Sequence, residues 1–333
     1  MNIESKSNYS KSDRRSVPLV SILMAVYNPN YDWFKEQLRS LNNQTYENLE
    51  LIIYDDCPDK PLNEDVVKDI IKSFNYKIIR GEKNRGSNKA FEYLTQVGKG
   101  EFFSYCDQDD IWEKDKIKIM MQKFNKNVML VCCDLSIINK NGVKTHESIT
   151  EIRKRIVYKR GCNLAEDLLV TNFVTGCAMI VRKEIAQSAI PFETSILHDQ
   201  WIAIIAALNG EIEVVNKSLI RYRQHDNNQS GILKGVYDKN SYFEKRIKGY
   251  LSRYYSFKNR FAYNEEFEKR INEMIIWLKA RERYYIKPSI KNLKIMLKYK
   301  KFHKMSIYLE IILPFIPNCS FKVFLKAAKN GLI

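Results

Sequence analysis

Glycine is scarce in this chain, with 12 residues among 333, and the sequence contains no glycine-rich phosphate loop. The first apolar run ends in Ala25-Val26-Tyr27-Asn28-Pro29, at the position where a dinucleotide-binding strand would continue into GxGxxG. A Walker A sequence is also absent. These absences exclude two common nucleotide-binding loops. A nucleotide bound here would need another means of neutralising its phosphates, and a metal ion is the obvious one.

The 7 cysteines include no CxxC pair, and their odd number suits neither a disulfide framework nor a zinc site. We therefore expect mostly buried thiols in a reducing cytoplasm. No apolar run reaches the roughly 20 residues needed to span a bilayer. Residues 1–16 are polar and lack the apolar centre of a signal peptide, which predicts a disordered tail.

Acidic residues are few in the C-terminal part of the chain. Residues 233–333 contain 23 Lys and Arg against 8 Asp and Glu, whereas residues 1–232 contain 32 against 31. The last hundred residues therefore carry almost all of the formal net charge of +16. This asymmetry indicates an anionic partner, either a membrane surface or nucleic acid, unless it reflects only a solvated helical face.

Short apolar strands alternate with amphipathic helices in the N-terminal part of the chain. Strands are predicted at 17–27, 49–54, 76–80 and 102–105, and helices at 33–41, 63–74 and 87–97. The alternation predicts an α/β fold with a parallel sheet covered on both faces. From residue 128 the pattern changes to mixed sheet, with strands at 128–135, 173–181 and 213–222 and a helix over 197–208. Beyond Gly231 the periodicity is helical, with helices at 242–261, 267–285, 289–302 and 304–313.

Polar residues follow four successive predicted strands. Asn28, Asp55-Asp56, the segment 80–85 and the segment 107–110 occupy these positions. Because ligands of open parallel sheets bind beyond the carboxyl ends of the strands, these residues are expected to converge on one crevice. Their chemistry indicates a charged ligand that requires a cation.

The last of these segments contains three carboxylates within four residues, Asp107, Asp109 and Asp110. Oxygen ligands of this kind suit a hard divalent cation. The alternative is an acidic turn that caps a helix opening at 111–113, since Asp favours helix N-termini. The convergence of strand ends and the missing phosphate loop favour the metal site.

Four ordered motifs give the sequence a resemblance to the family 2 glycosyltransferases of the glycosyltransferase-A fold. The motifs lie at residues 20–28, 40–56, 84–86 and 107–112. The resemblance covers roughly residues 17–231. It implies a Rossmann-like sandwich with a mixed, mainly parallel central sheet, followed by a C-terminal helical region. The corresponding domains are a nucleotide-binding half at 17–125, an acceptor half at 126–231 and a basic helical domain at 232–333.

The resemblance also implies which residues contact the donor nucleotide and the cation. The donor contacts would be Ala25, Tyr27, Asn28, Asp56, Arg85, Lys89, Asp107 and Asp109, with Asp55 structural. The sequence departs from the family where Cys57-Pro58 replaces the usual small hydroxylated residue. The cation would be Mg²⁺ or Mn²⁺, held by Asp109, Asp110 and His225. Whether Asp109 or Asp110 makes the direct bond to the metal is left open. Arg223, Gln224 and His225 would stabilise the departing diphosphate.

A second chemical centre is expected in the segment Leu197-His198-Asp199-Gln200-Trp201, which opens an apolar helix. Asp199 could simply cap that helix. In the resembling family an acidic residue at this position deprotonates the acceptor hydroxyl, which makes Asp199 the candidate base of an inverting displacement. Gly176, His198 and Trp201 are the candidate acceptor contacts.

Taken together, these features predict an inverting, metal-dependent glycosyltransferase of bacterial surface polysaccharide synthesis. Its donor would be a UDP- or dTDP-sugar, with dTDP-rhamnose one candidate, and its acceptor a glycan or a polyprenyl-diphosphate-linked sugar. Lysines interleaved with apolar residues at 287–304 predict peripheral attachment to the inner face of the cell membrane, although snorkelling lysines on a core-packed helix would give the same pattern. The sequence leaves the oligomeric state open, and a homo-oligomer is one possibility. One alternative is a non-catalytic sugar-nucleotide-binding subunit. A nucleic-acid-binding protein has less support, because no recognised nucleic-acid-binding motif accompanies the basic tail.

Overall fold

The computed structural model describes residues 17–225, 235–302 and 304–329. The predicted tail at 1–16, the boundary predicted between residues 231 and 232, and residues 226–231 lie outside the described residues. The division of the chain into domains therefore stays a prediction.

The N-terminal half contains four parallel strands separated by helices. The elements are β1 (Val20–Val26), α1 (Tyr31–Asn42), β2 (Leu49–Asp55), α2 (Glu64–Ile70), β3 (Asn75–Arg80), α3 (Ser87–Val97) and β4 (Phe102–Cys106). The strand order is β3-β2-β1-β4, and every neighbouring pair is parallel. Strands β1 and β4 are buried on both faces, as their continuous apolar sequences predict. The carboxyl ends of all four strands therefore share one edge, as expected.

The sheet continues through the second half, where its strands run in both directions. The elements are β5 (Ile111–Trp112), α4 (Lys116–Met121), β6 (Val128–Ile138), β7 (Lys144–His146), α5 (Ala165–Val170), β8 (Met179–Arg182), α6 (Lys183–Ser188), α7 (His198–Asn209) and β9 (Glu211–Arg223). The path beyond β4 is β8-β6-β9-β5, and β7 pairs with β6. Only β5, β7 and β8 run against the other six strands of the described residues. The predicted mixed, mainly parallel sheet is confirmed.

Two local predictions in this half are wrong. Residues 111–112 do not open a helix, because Ile111 and Trp112 pair with Arg221 and Ile220 of β9. The predicted strand over 173–181 is reduced to β8, preceded by a single helical turn at Gly176–Ala178. In both places, pairing with a distant strand determines the local conformation.

The C-terminal region is helical, as predicted, and it includes α13, which lies beyond the last predicted helix. Its elements are α8 (Lys239–Tyr242), a π-helical segment (Phe243–Lys248), α9 (Gly249–Arg260), α10 (Glu265–Ile286), α11 (Ile290–Lys298), α12 (Lys304–Ile312) and α13 (Asn318–Lys329). The main hydrophobic core extends without interruption from the sheet into α9, α10 and α11. Within the described part of the chain, no helix combines the length and the apolar character needed to cross a bilayer.

Candidate active site

The acidic segment after β4 lies at the sheet edge where the parallel strands end. Asp110 is completely buried, and one of its carboxylate oxygens accepts a hydrogen bond from the Arg223 backbone at 3.0 Å. The other oxygen has no hydrogen-bond partner among the described residues. Burial, followed by the charges of Asp109 and Asp107, raises the pKa of Asp110 well above its usual range. Because β5 follows instead of a helix, the helix-cap interpretation of this segment is wrong.

Asp107 and Asp110 form a compact group with a thiol that sequence reasoning did not select. One ligand atom from each of Asp107, Asp110 and Cys177 lies within 4.8 Å of the other two. Burial, and then the charges of Asp109 and Asp199, raise the pKa of Asp107 to about 7. An unpartnered buried carboxylate oxygen beside these ligand atoms fits a divalent cation. Cys177 carried no sequence signal, since it resembles any other buried thiol.

Asp109 faces a different partner. Its Oδ2 lies 2.8 Å from Nε2 of His225, which packs on the Trp33 ring at 4.8 Å between centroids. The expected ligand set of Asp109, Asp110 and His225 is thus divided in this structure: Asp109 pairs with His225, while Asp110 groups with Asp107 and Cys177.

A buried cation, Lys116, lies beneath the acidic segment. Its ammonium group donates to the Cys177 carbonyl at 2.8 Å and lies 3.0 Å from the centroid of the Trp112 ring. Burial lowers the pKa of Lys116 to about 8, while nearby thiols and Asp110 act in the opposite direction. Lys116 is not among the residues predicted from the sequence. Its spacing from Met120, four residues later on the buried face of α4, is the pattern that would have indicated its burial.

Asp199 lies in the first turn of α7 and is 8% exposed. One carboxylate oxygen accepts from Nδ2 of Asn172 at 3.1 Å, and the other accepts from the Gly176 backbone at 3.2 Å. Burial raises the pKa of Asp199 to about 6, against the opposing effect of these hydrogen bonds. The Gly176 donor precedes Cys177, whose sulfur groups with Asp107 and Asp110, so the start of α7 and the end of β4 are linked through residues 176–177. The helix begins after Leu197, without a side-chain cap, so Asp199 is not an N-cap.

Gly176 and His198 form one wall beside Asp199. A Cβ atom on Gly176 would lie 2.8 Å from Nε2 of His198, so only glycine permits this close approach. The His198 ring packs on Phe91 and Tyr105 with centroids 4.2 and 5.1 Å away. Burial lowers the pKa of His198 to about 3, which keeps the imidazole neutral at physiological pH. Neither ring nitrogen has a hydrogen-bond partner in the described part of the chain.

The end of β1 is fixed by a side chain of the acidic segment. Gln108 accepts from the Tyr27 backbone at 2.8 Å and donates back to its carbonyl at 3.2 Å. Tyr27 is 52% exposed, Asn28 has a φ of 39° that Asn tolerates better than most residues, and Ala25 is half-buried on β1. The predicted contacts Tyr27 and Asn28 therefore lie open at the same sheet edge as the carboxylates.

The two aspartates at the end of β2 have different roles. Asp55 accepts from the Leu62 backbone at 2.7 Å and from Arg80 at 3.1 Å, which fits the structural role expected for it. The two oxygens of Asp56 accept from the backbones of Arg85 and Gly86, both at 2.8 Å. Asp56 thereby shapes the loop before α3.

The two predicted cations near α3 are not equivalent. Arg85 is exposed on the loop that Asp56 holds. Lys89 is already paired with both oxygens of Glu92, at 2.8 and 3.0 Å. A donor contact from Lys89 would therefore compete with this ion pair.

One predicted site residue lies away from the crevice. Trp201 is 1% exposed, donates to the Ala189 carbonyl at 2.7 Å and packs on Phe257 and Phe261, so it belongs to the core and not to the acceptor pocket. Its position two residues after Asp199 turns it to the other side of α7.

Arg223, also 1% exposed, binds the Glu36 carboxylate and donates to the Asp109 carbonyl at 2.8 Å. Its guanidinium is committed to holding Asp109 in place, which differs from the direct diphosphate contact expected. Gln224 is exposed beside it.

Known proteins resemble this chain in sequence. Residues 21–187, half of the chain, match the domain family described as Glycosyl transferase family 2. An uncharacterized glycosyltransferase of Rickettsia typhi is 26% identical over 217 residues, which cover 63% of this chain and 65% of the relative. The chain thus spans just under two thirds of that relative's length. The dTDP-rhamnosyl transferase RfbG of Shigella flexneri is 28% identical over 232 residues, covering 62% of this chain and 73% of the relative.

Solved structures resemble it in fold. S. aureus TarS 1–349 in complex with UDP-GlcNAc aligns with a TM-score of 0.55 at 16% identity, covering 88% of this chain and 84% of TarS 1–349. The mannosyltransferase PcManGT of Pyrobaculum calidifontis, in complex with GDP-Man and Mn²⁺, aligns with a TM-score of 0.51 at 13% identity, covering 91% of this chain and 87% of PcManGT. At these identities the likeness concerns the fold alone, and it confirms the predicted glycosyltransferase-A architecture. Motifs, fold and family match agree, and the chain belongs to the family 2 glycosyltransferases, enzymes that transfer a sugar from a nucleotide donor.

Proposed function

We propose that this enzyme is an inverting, metal-dependent glycosyltransferase of bacterial surface polysaccharide synthesis. The observation that carries the proposal is that Asp199, a buried carboxylate of raised pKa, accepts from the Gly176 backbone, while the next residue, Cys177, groups with Asp107 and Asp110 after β4. A base on one side and a site for a diphosphate-bound cation on the other are what a single displacement at the anomeric carbon requires.

In the proposed reaction, Asp199 takes the proton of the acceptor hydroxyl while the oxygen of that hydroxyl attacks the anomeric carbon. The bond from that carbon to the diphosphate oxygen breaks, and its electron pair leaves with the diphosphate. Asn172 and the Gly176 backbone hold the carboxylate of Asp199 in one orientation. The pKa of about 6 leaves Asp199 mostly ionised at pH 7 yet basic enough to accept a proton.

The residues after β4 fit a divalent cation, Mg²⁺ or Mn²⁺. Asp110, with its unpartnered buried oxygen, and Asp107 would hold it, with Cys177 as a neighbouring ligand atom and Asp109 and His225 closing the outer side. When bound, such a cation neutralises charge on the diphosphate. This assignment favours Asp110 over Asp109 for the direct bond. Gln224 and His225 would contact the leaving diphosphate, while Arg223 positions Asp109.

For the donor, we propose a UDP- or dTDP-sugar whose nucleoside lies along the ends of β1 and β2. Ala25, Tyr27 and Asn28 would line the base, Asp56 would hold the loop before α3, and the exposed Arg85 on that loop would contact the donor, as would Lys89 if it left Glu92. The name of the Shigella relative makes dTDP-rhamnose the first donor to test.

For the acceptor, we propose a glycan or a polyprenyl-diphosphate-linked sugar that approaches past Gly176 and His198. The buried, unpartnered nitrogens of His198 would then find a polar partner on the acceptor. Such an acceptor places the enzyme at the cytoplasmic face of the cell membrane.

Thermal-shift titrations with UDP-, dTDP- and GDP-sugars, each with and without Mn²⁺, test the donor and the cation together, because stabilisation follows ligand affinity. We expect one donor class to raise the melting temperature, and Mn²⁺ to increase that shift. In Asp110→Asn the Mn²⁺-dependent part should disappear, while the exposed control Asp69→Asn on α2 should keep it. An unchanged Mn²⁺ effect in Asp110→Asn would contradict the metal assignment.

A further inference from the structure

The lysine-rich segment singled out in the sequence is only in part an exposed apolar surface. On α11, Met296 is completely buried, and Phe302 just beyond it is 5% exposed, whereas Lys291, Lys294 and Lys298 point to solvent. Two apolar side chains of α11 also stay exposed, Ile290 at 74% and Leu297 at 40%. A larger group of exposed apolar side chains lies elsewhere.

Such a surface occurs on α12 and the turn that follows it. Tyr308, Ile312 and Phe315 are 62%, 52% and 68% exposed, and their spacing of four and three residues places them on one side. Exposed aromatic and aliphatic side chains grouped in this way mark an interaction site. Helix α13 packs into the same buried cluster as Leu313 through Phe321 and Leu325, and its Val323 is 71% exposed.

The opposite side of α12 fixes this orientation. Ile307 and Leu313 are completely buried, and Glu310 between them is 3% exposed. The Glu310 carboxylate forms an ion pair with Arg281 and accepts from the Tyr242 hydroxyl at 2.8 Å. Glu310 is the only acidic residue between 305 and 321, so the outward side of this segment carries no negative charge.

Exposed cations lie on the two helices that accompany α12. Lys322 and Lys326 are exposed on α13, on either side of Val323 in the sequence, and α11 with its lysines contacts α12. Exposed apolar side chains with lysines on the accompanying helices are complementary to an anionic lipid surface, where acyl chains accept the apolar groups and headgroups accept the ammonium groups. A second copy of the chain would instead bring two sets of lysines together.

We propose that Tyr308, Ile312, Phe315 and Val323 insert into an anionic bilayer surface, with Lys322 and Lys326 at the headgroups. The inference rests on the proposed function, whose lipid-linked acceptor lies in such a surface. It adds the face of the protein that meets the lipid and extends the contact predicted at 287–304 to α12 and α13.

Co-sedimentation of the full chain with phosphatidylcholine vesicles, with and without phosphatidylglycerol, tests the proposal. Binding is expected only with phosphatidylglycerol and should weaken as salt is added. Ile312→Asp combined with Phe315→Asp should weaken it roughly a hundredfold, from the apolar area withdrawn. Lys322→Gln and Lys326→Gln should each weaken it about fivefold. The control Val157→Asp, at an apolar side chain 62% exposed outside this region, should bind as the wild type does.

Equal binding by the wild type and the Ile312→Asp/Phe315→Asp variant would overturn the proposal, as would wild-type binding that ignores phosphatidylglycerol. Light scattering that shows a dimer dissolved by the same substitutions, with no vesicle binding, would assign the surface to self-association. The lysine variants keep the test decisive if the aspartate variant does not fold. Donor-sugar hydrolysis measured without vesicles reports on the transferase chemistry separately, so either proposal can fail alone.

Discussion

Replacing Asp199 by Asn tests the proposed base through both activity and stability. In the folded protein burial raises the pKa of Asp199 from 3.8 to about 6. Between these pH values the folded state binds more protons than the unfolded state, so this group lowers the free energy of unfolding as the pH rises. Two pKa units correspond to about 3 kcal/mol at neutral pH.

The Asn variant has no such titration. It should therefore be more stable than the wild type at pH 8, with about 3 kcal/mol as an upper bound, because the amide keeps only part of the hydrogen bonding. About 1.5 kcal/mol of the difference should develop between pH 5 and pH 8. Loss of the negative charge also favours ionisation of Asp107 nearby, which acts in the same direction.

The transfer activity of Asp199→Asn should fall, although its stability rises. Loss of a general base lowers the transfer rate by roughly 10²- to 10⁴-fold, while the donor should still bind. In the wild type, kcat/KM should rise with pH through about 6, following ionisation of Asp199. The assays are acceptor-dependent release of the nucleoside diphosphate, donor binding by calorimetry, and urea unfolding at several pH values. Wild-type transfer in Asp199→Asn would refute its role as base, and an equal stability difference at pH 5 and pH 8 would refute the raised pKa.

Three further substitutions test the architecture around the site. Gly176→Ala puts a methyl group 2.8 Å from His198 Nε2 and should cost about 1–3 kcal/mol of stability, measured by urea unfolding, together with lower transfer. Arg223→Met leaves the Asp109 carbonyl without its donor, and calorimetry should show weaker donor binding with a loss of about 1–3 kcal/mol in unfolding. Arg281→Met strands Glu310, which is 3% exposed, and should cost about 3–5 kcal/mol; adding Glu310→Leu should recover most of it, and no recovery would contradict the ion-pair argument.

The sequence was informative wherever local pattern determines structure. The apolar runs of β1, β2 and β4 predict buried parallel strands, because such strands are covered on both faces. The polar residues that follow them, Asn28 and Asp110 among them, then have to share one sheet edge. Helix α3 and the apolar part of α7 also follow from periodicity alone.

Local sequence patterns do not predict the roles of residues that depend on contacts with distant segments. Arg223 looks like a phosphate ligand in sequence, yet Glu36, 187 residues away, takes its guanidinium. Trp201 is adjacent to the site in sequence but packs under α9, on Phe257. Lys116 is one of many lysines until α4 turns it into the core beside Cys177. No local pattern states which of several similar side chains will meet a partner far along the chain.

The charges at the sheet edge favour a divalent cation over a purely basic phosphate site. The charges of Asp109 and Asp199 contribute to the raised pKa of Asp107, and those of Asp109 and Asp107 to the raised pKa of Asp110. The buried cation Lys116 offsets only part of this effect on Asp107, and Arg223 is paired with Glu36, so the carboxylates outnumber these two cations. A phosphate group brought alone to such a surface would be repelled. A diphosphate can bind there when a cation of higher charge comes with it, so the excess of carboxylates itself supports metal-dependent donor binding.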